Sequence, residues 1–522
     1  MLKRAYIMYT IPAVLLCAGL AWGAGELSGR AKIGGVVLDE EGNPGVSQAT
    51  YNVYEGVALS LEDFRYTMDN GVRIYGDLKN ITMNNRNLNF GITKAGLFGV
   101  TARNNQYRRI YSLDGSQFTR RRQTNTEFWV QPYQYVKLFG GYGITSRHGN
   151  QVELFEPESS TPAVTNFDYT QTYYHAGLEL KQGRRQLQFE YRGSSFSEDI
   201  ASTSDRSSAR VRVAGRAPLP VYENLVLMGG YQHYCYRVND TEDTVKANTG
   251  WLGGALYYGD GWSLRYSFIW DRARRTGDLS ATDNLTNAVY LGKTWRGLGG
   301  ATIGYRHKIN DDLLNEVKTD GYFFSGWLKP RTDLLLRAGY GSESKDVTDG
   351  HTLTGDADYT KHYASVRYDF LPGSQIQVKV TNRSTENDNI GSSYDYLRFA
   401  TDVVFNYPAY GMVQFSWAYM NGNYESRDDK FEFRDHVLNG DFWSREYHKF
   451  TAGFGGTYVR SKQDLDIEKS SVRLSGRYTF LPRHTIELIY TAHNFDDLAD
   501  PSPVYSRYYT ANIVEINLIH EF

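Results

Sequence analysis

The feature that most constrains this chain is an alternation of apolar and polar residues with period two, which runs almost from end to end. Within residues 373–383, for example, Ile376, Val378 and Val380 alternate with polar side chains. Successive side chains of a β-strand point to opposite faces, whereas helical periodicity is scarce here. The pattern therefore predicts an all-β protein whose strands have one apolar and one polar face.

Soluble β-sandwiches also alternate, but the strands and their connections favour a transmembrane β-barrel. Strands of about 10–13 residues have the length that a tilted membrane-spanning strand requires. Aromatic residues gather near strand ends, at 262–270 and 394–407, where interfacial belts lie. Short turns predicted at 181–183, 329–331 and 481–483 alternate with longer polar segments, as turns and loops do in outer-membrane barrels. The predicted long loops are residues 194–205, 239–245, 272–285, 341–357 and 381–393.

Composition excludes several other classes of protein. Lys+Arg number 57 and Asp+Glu 59, a net charge of -2, which argues against a basic nucleic-acid-binding protein. A mean hydropathy of -0.52 excludes a polytopic helical membrane protein. The 42 Tyr and 51 Gly suit long strands with aromatic girdles.

The N-terminus predicts export. Lys3 and Arg4 precede an apolar run over residues 5–20 and a small-residue site ending at Gly23. We interpret residues 1–23 as a signal peptide and residues 24–522 as one barrel; an N-terminal membrane anchor is the alternative. Beyond the signal only Cys235 remains, so no Cys-x-x-Cys-His is present and the chain is expected to bind no haem of its own.

The number of strands follows from length. A strand with its share of turn and loop takes roughly 19–22 residues, and single-chain bacterial barrels favour even numbers. We therefore predict a large single-chain antiparallel barrel of about 26 strands, with 22 and 24 as alternatives. Residues 26–39 already have the pattern of a strand, so no globular plug is evident near the N-terminus.

A barrel of this size cannot fill its interior with its own side chains. Placing the polar face of each strand inward gives a tentative set of lumen residues that is mainly basic. They are Arg192, Arg210, Arg212, Arg265, Arg306, Arg337, Arg367, Lys379, Arg398, Arg473, Arg477, Glu190, Asp369 and Glu487. The set suggests either a lumen complementary to an acidic ligand or partner, or cations that pair with neighbouring carboxylates in a wet interior.

Enzyme chemistry is not indicated. The histidines are spread singly, and no Gly-x-Ser-x-Gly segment is present. No Cys/His group has zinc spacing, and the acidic clusters lack a full calcium-loop spacing. We predict no catalytic residue, bound cofactor or metal.

The last strand resembles a known signal. Phe522 closes an amphipathic strand in which Val514, Ile516 and Leu518 share one face. A terminal aromatic residue in this setting is similar to the assembly signal of bacterial outer-membrane barrels. The resemblance implies the outer membrane as location and the barrel-assembly machinery as a partner.

The N-terminal third resembles one family. Residues 76–88 read Gly-Asp-Leu-Lys-Asn-Ile-Thr-Met-Asn-Asn-Arg-Asn-Leu and are followed by Gly91, Gly96 and Phe-Gly-Val at 98–100. Residues 28–30 with Gly34 and Gly35, and residues 54–56, are similar to the opening strands of the same family. This is the MtrB/PioB family of outer-membrane barrels, decahaem cytochrome-associated porins, and the match covers roughly residues 28–109.

The resemblance implies a sheath for multihaem c-type cytochromes in extracellular electron transfer. A periplasmic cytochrome would lie in the lumen, and an extracellular one would dock at the long loops. The alternative from another class is a solute porin, general or selective for anions or oligosaccharides.

Overall fold

A computed structural model describes residues 25–42, 55–110, 118–153, 163–198, 205–239, 243–276, 281–311, 316–348, 356–387, 391–427, 429–464, 466–497 and 508–522. The predicted signal peptide lies outside the described residues. The described residues include no helix long and apolar enough to cross a membrane.

The described chain forms 26 strands, the number predicted. They are β1 (Gly25–Gly42), β2 (Gly56–Met68), β3 (Val72–Lys79), β4 (Asn87–Lys94), β5 (Phe98–Ile110), β6 (Phe118–Tyr133), β7 (Val136–Glu153), β8 (Ala163–Gln182), β9 (Arg185–Glu198), β10 (Arg206–Pro218), β11 (Leu225–Val238), β12 (Thr244–Tyr258), β13 (Trp262–Arg275), β14 (Ala281–Trp295), β15 (Gly299–Asp311), β16 (Glu316–Arg331), β17 (Leu334–Thr348), β18 (Ala357–Leu371), β19 (Ser374–Asn387), β20 (Ser392–Tyr407), β21 (Gly411–Glu425), β22 (Lys430–Ser444), β23 (Phe450–Gln463), β24 (Ile467–Leu481), β25 (His484–Asp497) and β26 (Tyr508–Glu521).

The sheet is closed. Each strand pairs antiparallel with its sequence neighbours, and β1 pairs antiparallel with β26 from Arg30↔Glu521 to Gly42↔Tyr509. The backbone of the chain end continues this ladder, because Gly29 and Phe522 exchange two hydrogen bonds of 3.2 and 3.1 Å. The Phe522 ring lies 6.5 Å from the Phe64 ring. The all-β antiparallel barrel is therefore confirmed; the assembly role of Phe522 stays a prediction.

The strands are longer than predicted. Apart from β3 and β4, with eight residues each, they have 13–20 residues. Part of each predicted long loop is strand, most extensively in two of them: β17 continues to Thr348, and β19 continues to Asn387. In these extensions both faces are polar, as at Glu343–Ser344–Lys345, so the alternation ends although the hydrogen-bonded ladder continues.

One predicted turn is displaced. Residues 329–331 belong to β16, and the turn falls at Thr332 and Asp333. The β16–β17 register shifts between Leu328 and Arg331, where Pro330 lies. Proline has no N–H to donate to the ladder, so the strand absorbs it at an irregularity.

Residues 80–86, within the segment that carries the family resemblance, fill a gap in the wall above two short strands. Because β3 and β4 are short, residues 80–86 occupy the space between β2 and β5. The Ile81 N–H donates to the Leu59 carbonyl at 2.7 Å on one side, and the Gln106 N–H donates to the Arg86 carbonyl at 3.0 Å on the other. Met83 is buried in a cluster with Val36.

The outward face has the profile of a membrane-spanning barrel. Apolar side chains on it are broadly exposed, such as Ile303 at 54% and Leu488 at 50%. Tyrosines on this face donate their hydroxyls to an Asx side chain on the next strand: Tyr231 to Asn248 at 2.6 Å, and Tyr490 to Asn512 at 2.8 Å. Such amphipathic rings mark a membrane–water interface.

We predict that an introduced arginine destabilises the barrel far more on the outward face of β25 than at the adjacent residue on the inward face. Leu488→Arg places a cation on the outward face and should destabilise the barrel by about 2–4 kcal/mol, the cost of Arg near a bilayer midplane. The matched control is Ile489→Arg. Ile489 lies on the inward face, directly across from Glu515 of β26, so this substitution should cost under about 1 kcal/mol. Urea unfolding in lipid vesicles, followed by tryptophan fluorescence, measures both. Equal costs would contradict the assignment of the two faces.

Candidate functional site: the inner wall of the barrel

The register brings the predicted lumen residues onto one face. Directly opposed residues of paired antiparallel strands point the same way. Arg192 opposes Arg210 and Glu190 opposes Arg212, and Arg477 opposes Glu487. Following the pairs around the sheet places all fourteen predicted residues on this face, which we assign to the lumen. The exposed apolar residues of the outward face lie between them in sequence.

Aromatic rings on the inner face lie over glycines. In ten directly opposed cross-strand pairs of the described residues a Cβ on the glycine would collide with the ring of its partner, so each ring covers its glycine. The pairs are Gly91 with Tyr75, Gly99 with Trp129, Gly143 with Tyr173, Gly177 with Phe139, Gly230 with Trp251, Gly300 with Trp327, Gly304 with Tyr290, Gly339 with Tyr363, Gly422 with Phe433 and Gly453 with Trp443. These rings therefore lie along the wall rather than across the lumen.

Other glycines allow polar side chains to meet across a strand. Strands two apart are about 9–10 Å from each other, so a side chain on the middle strand would block the contact. Gly455 stands between Asp441 and Arg473, whose Oδ1 and Nη2 atoms are 3.1 Å apart. Gly321 likewise separates Arg306 from Glu343, which form an ion pair.

Five of the eleven predicted cations have a carboxylate partner. Besides Arg306 and Arg473, Arg367 Nε lies 2.9 Å from Asp369 Oδ1, and Arg192 is paired with Glu190. Arg477 Nε lies 2.7 Å from Glu487 Oε1. For these five residues the structure favours pairing within the wall, one of the two interpretations of the basic lumen.

The other predicted cations have no carboxylate within salt-bridge distance among the described residues. Arg212 instead lies over the Trp251 ring, 5.2 Å from its centroid. The remaining five are Arg210, Arg265, Arg337, Lys379 and Arg398. For this half of the set a complementary acidic ligand or partner remains the open interpretation.

Sequence reasoning missed inner-wall residues that lie beyond the alternating part of a strand. Glu343 and Arg383 fell within the predicted loops 341–357 and 381–393, but belong to β17 and β19. Asp441 lies on β22 and Lys361 on β18. Strand parity could have found Glu343, Lys361 and Arg383, because each lies an even number of residues from a predicted inward position on the same strand. Asp441 shares its strand with no predicted inward position and had no such signal.

The most buried charge lies where the barrel closes. Glu487 on β25 is 2% exposed. Its Oε2 atom accepts from Lys32 Nζ of β1 at 3.2 Å and from Asn517 Nδ2 of β26 at 3.1 Å, and its Oε1 atom accepts from Arg477. These four side chains, which we name the seam cluster, join β24, β25, β26 and β1.

The histidine and acidic side chains of the described residues do not cluster as metal ligands do. No group of three or more His, Cys, Asp or Glu side chains able to hold a metal ion occurs in the part of the chain that the structure describes. His233 lies with Cys235 on the outward face, and its Nδ1 atom is hydrogen-bonded to Asn248 at 2.8 Å.

No protein-family model matches the chain, and no curated protein matches it. Among solved structures it is similar to the ferric enterobactin receptor PfeA of Pseudomonas aeruginosa, with a TM-score of 0.53 and 8% identity over 82% of each chain. It is also similar to the copper transporter OprC, with a TM-score of 0.51 and 8% identity over 96% of this chain and 81% of that one. The alcaligin outer-membrane receptor FauA of Bordetella pertussis gives 0.50 and 12% identity over 96% and 76%.

At such identities the likeness concerns the fold alone. A closed 26-stranded barrel with outer-membrane barrels as structural neighbours belongs in the bacterial outer membrane, as predicted. Its outward face contacts the lipid of that membrane.

We predict that the inner wall tolerates no side chain at Gly143. The Tyr173 ring covers this glycine and its hydroxyl donates to Asn125 on β6. Gly143→Leu should displace the ring and destabilise the barrel by about 1–3 kcal/mol, the usual cost of overpacking. Gly440→Leu is the control, because a Cβ there meets nothing within 4 Å. Urea unfolding in vesicles compares them; equal stability would contradict the packing described.

We predict that the seam cluster contributes to closure. Glu487→Gln removes the buried carboxylate that accepts from Lys32, Asn517 and Arg477 and should destabilise the barrel by about 1–3 kcal/mol. Asp369→Asn removes the carboxylate of an exposed pair with Arg367 and should cost under about 1 kcal/mol. The two are compared by the temperature at which the barrel loses its heat-modifiable migration on gels. A smaller effect at Glu487 than at Asp369 would exclude this role.

Proposed function

We propose that this protein is an outer-membrane sheath that encloses a multihaem c-type cytochrome, as its resemblance to the MtrB/PioB family implies. The observation that carries the proposal is the width of the barrel. Twenty-six strands spaced about 4.8 Å apart and tilted by about 40° give a circumference of about 160 Å and a backbone diameter of about 50 Å.

A bore of this width has room for a folded protein. Side chains take about 5 Å from each wall, which leaves about 40 Å. A compact domain of about 150 residues has a radius of gyration near 15 Å and measures about 38 Å across. Barrels of 22 strands are already wide enough to hold a plug, and every described segment of this chain belongs to the wall, its turns or its connecting loops.

The inner wall suits a protein occupant. The ten glycine-backed rings lie along the wall, and five of the predicted cations are held in ion pairs within it. Such a wall is polar without projecting bulky groups into the lumen. The chain would then insulate and position redox cofactors that the partner carries; it would perform no catalysis itself.

The connections at one end fit a second contact. At the end of the barrel opposite the tight turns, consecutive strands are separated by longer intervals of sequence, as between Gly42 and Gly56 and between Asp497 and Tyr508. In outer-membrane barrels the long connections face the outside. An extracellular cytochrome would dock there and receive or supply electrons across the membrane.

A solute porin is the second candidate. Six of the predicted lumen cations have no carboxylate partner among the described residues, a feature that favours anions in an open channel. In that case the bore would be filled by water.

The decisive test is the recovery of haem with the barrel. The tagged protein, purified from native membranes in mild detergent, should carry c-type haem visible by in-gel haem staining and by its visible spectrum. Arg212→Glu, on the inner face, should reduce the haem recovered per barrel at least fivefold because it opposes an acidic occupant. Arg185→Glu, outside the predicted lumen set at the start of β9, is the matched control and should leave recovery unchanged.

A colourless wild-type barrel that conducts ions in a planar bilayer would refute the sheath and leave the porin. Haem recovery that does not respond to Arg212→Glu would place the contact elsewhere on the wall.

A further inference from the structure

A cavity on the inner wall concentrates positive charge. It has a volume of about 440 Å³ and is formed by three adjacent strands, β18, β19 and β20. Lys361, Lys379, Arg383 and Arg398 line it; we name it the β18–β20 pocket. Its other lining residues are Tyr363, Thr381, Tyr394, Tyr396 and Ala400.

The register shows that the four cations are neighbours. Lys361 directly opposes Arg383, and Arg398 directly opposes Thr381, which stands between Lys379 and Arg383 on one face of β19. Like charges directly opposite each other on a sheet are destabilising. The arrangement therefore carries an unfavourable energy that a bound anion would remove.

No carboxylate among the described residues pairs directly with this charge. None lines the cavity, and none forms a salt bridge with the four cations. The nearest acidic residues by register are Glu343 and Asp402: Glu343 is paired with Arg306, and Asp402 opposes Gln377, outside the cavity. Elsewhere on the same wall, as at Arg473 and Asp441, a cation has its acid beside it.

The pocket also supplies neutral donors. Thr381 lines the pocket and is 7% exposed. Tyr394 and Tyr396 lie side by side on β20, with ring centroids 6.4 Å apart. Ammonium, guanidinium and hydroxyl groups facing one concavity form charge-assisted hydrogen bonds to carboxylate oxygens.

We propose that the β18–β20 pocket is a binding site for clustered carboxylates. Lys361, Lys379, Arg383 and Arg398 neutralise the ligand, and the tyrosine hydroxyls and Thr381 orient it. The size of the cavity suits a group with two or three carboxylates. The identity of the natural source rests on the proposed function: it is the acidic surface of the protein held in the lumen. A free polycarboxylate solute presents the same carboxylate groups.

Citrate binding to the purified, refolded barrel tests the site directly. Isothermal titration at low salt should detect citrate binding to the wild-type barrel, and the binding should weaken as salt rises because charge dominates it. The variant Lys361→Gln/Lys379→Gln/Arg383→Gln/Arg398→Gln should lose at least tenfold in affinity. The matched control, Arg103→Gln/Arg210→Gln/Arg265→Gln/Lys308→Gln, removes as many inner-face cations away from the pocket, none of them in a salt bridge within the described residues, and should change affinity less than threefold.

Two results would overturn the proposal: a wild-type barrel that binds no citrate, or equal losses in the pocket and control variants. Heat-modifiable migration on gels verifies that each variant is folded. If the fourfold pocket variant does not fold, Lys379→Gln and Arg398→Gln, both exposed to the lumen, are measured singly and should each weaken binding about threefold.

Haem recovery with the same variants identifies the source of the carboxylates. Loss of both citrate binding and haem in the pocket variant assigns the site to the enclosed partner. Loss of citrate binding with haem retained supports the site and assigns it to a free solute. A wild-type barrel without haem refutes the sheath, whereas the citrate titration still decides the pocket.

Discussion

The structure depends on the pairing of β1 with β26. Within the hydrocarbon core of a bilayer no water is available to backbone N–H and C=O groups, so a sheet can cross only if it has no free edge. The ladder from Arg30↔Glu521 to Gly42↔Tyr509 removes the last edge. The seam cluster lies on this junction, where Lys32 of the first strand reaches Glu487 across β26.

Closure of the sheet separates a lipid environment from the lumen, and different side chains are stable in each. The outward face meets lipid, and its apolar residues, such as Leu488, remain exposed because the bilayer is their solvent. The inward face meets water or another molecule, and there charges pair with each other over glycines. Glycines, which would weaken a soluble strand, have two uses in this wall: Gly321 and Gly455 allow contacts between strands two apart, and other glycines lie beneath aromatic rings.

The inner wall divides into two kinds of charge. Arg192, Arg367 and Arg477 are neutralised within the wall and contribute to its structure. The cations of the β18–β20 pocket are not, and this unequal distribution is the basis for assigning a ligand to one place rather than to the lumen as a whole. A wide bore and a localised basic site are both consistent with an enclosed acidic partner.

By itself, the sequence determined the fold class and the face on which each clear strand residue lies, and it limited the number of strands to between 22 and 26. The reason is local: period-two alternation is a property of a single strand, and every hairpin repeats it. Thus residues 376, 378 and 380 could be assigned to one face of β19 without knowledge of any partner strand.

The tertiary structure decided the rest. Where both faces become polar, as around Ser344, alternation carries no information, and only cross-strand hydrogen bonds show that the strand continues. Which charges pair depends on registers that accumulate around the barrel: Arg306 meets Glu343, 37 positions later, because Gly321 leaves the space between them empty. Lys361, Lys379, Arg383 and Arg398 form one pocket for the same reason, since three strands must be aligned before separate cations become neighbours.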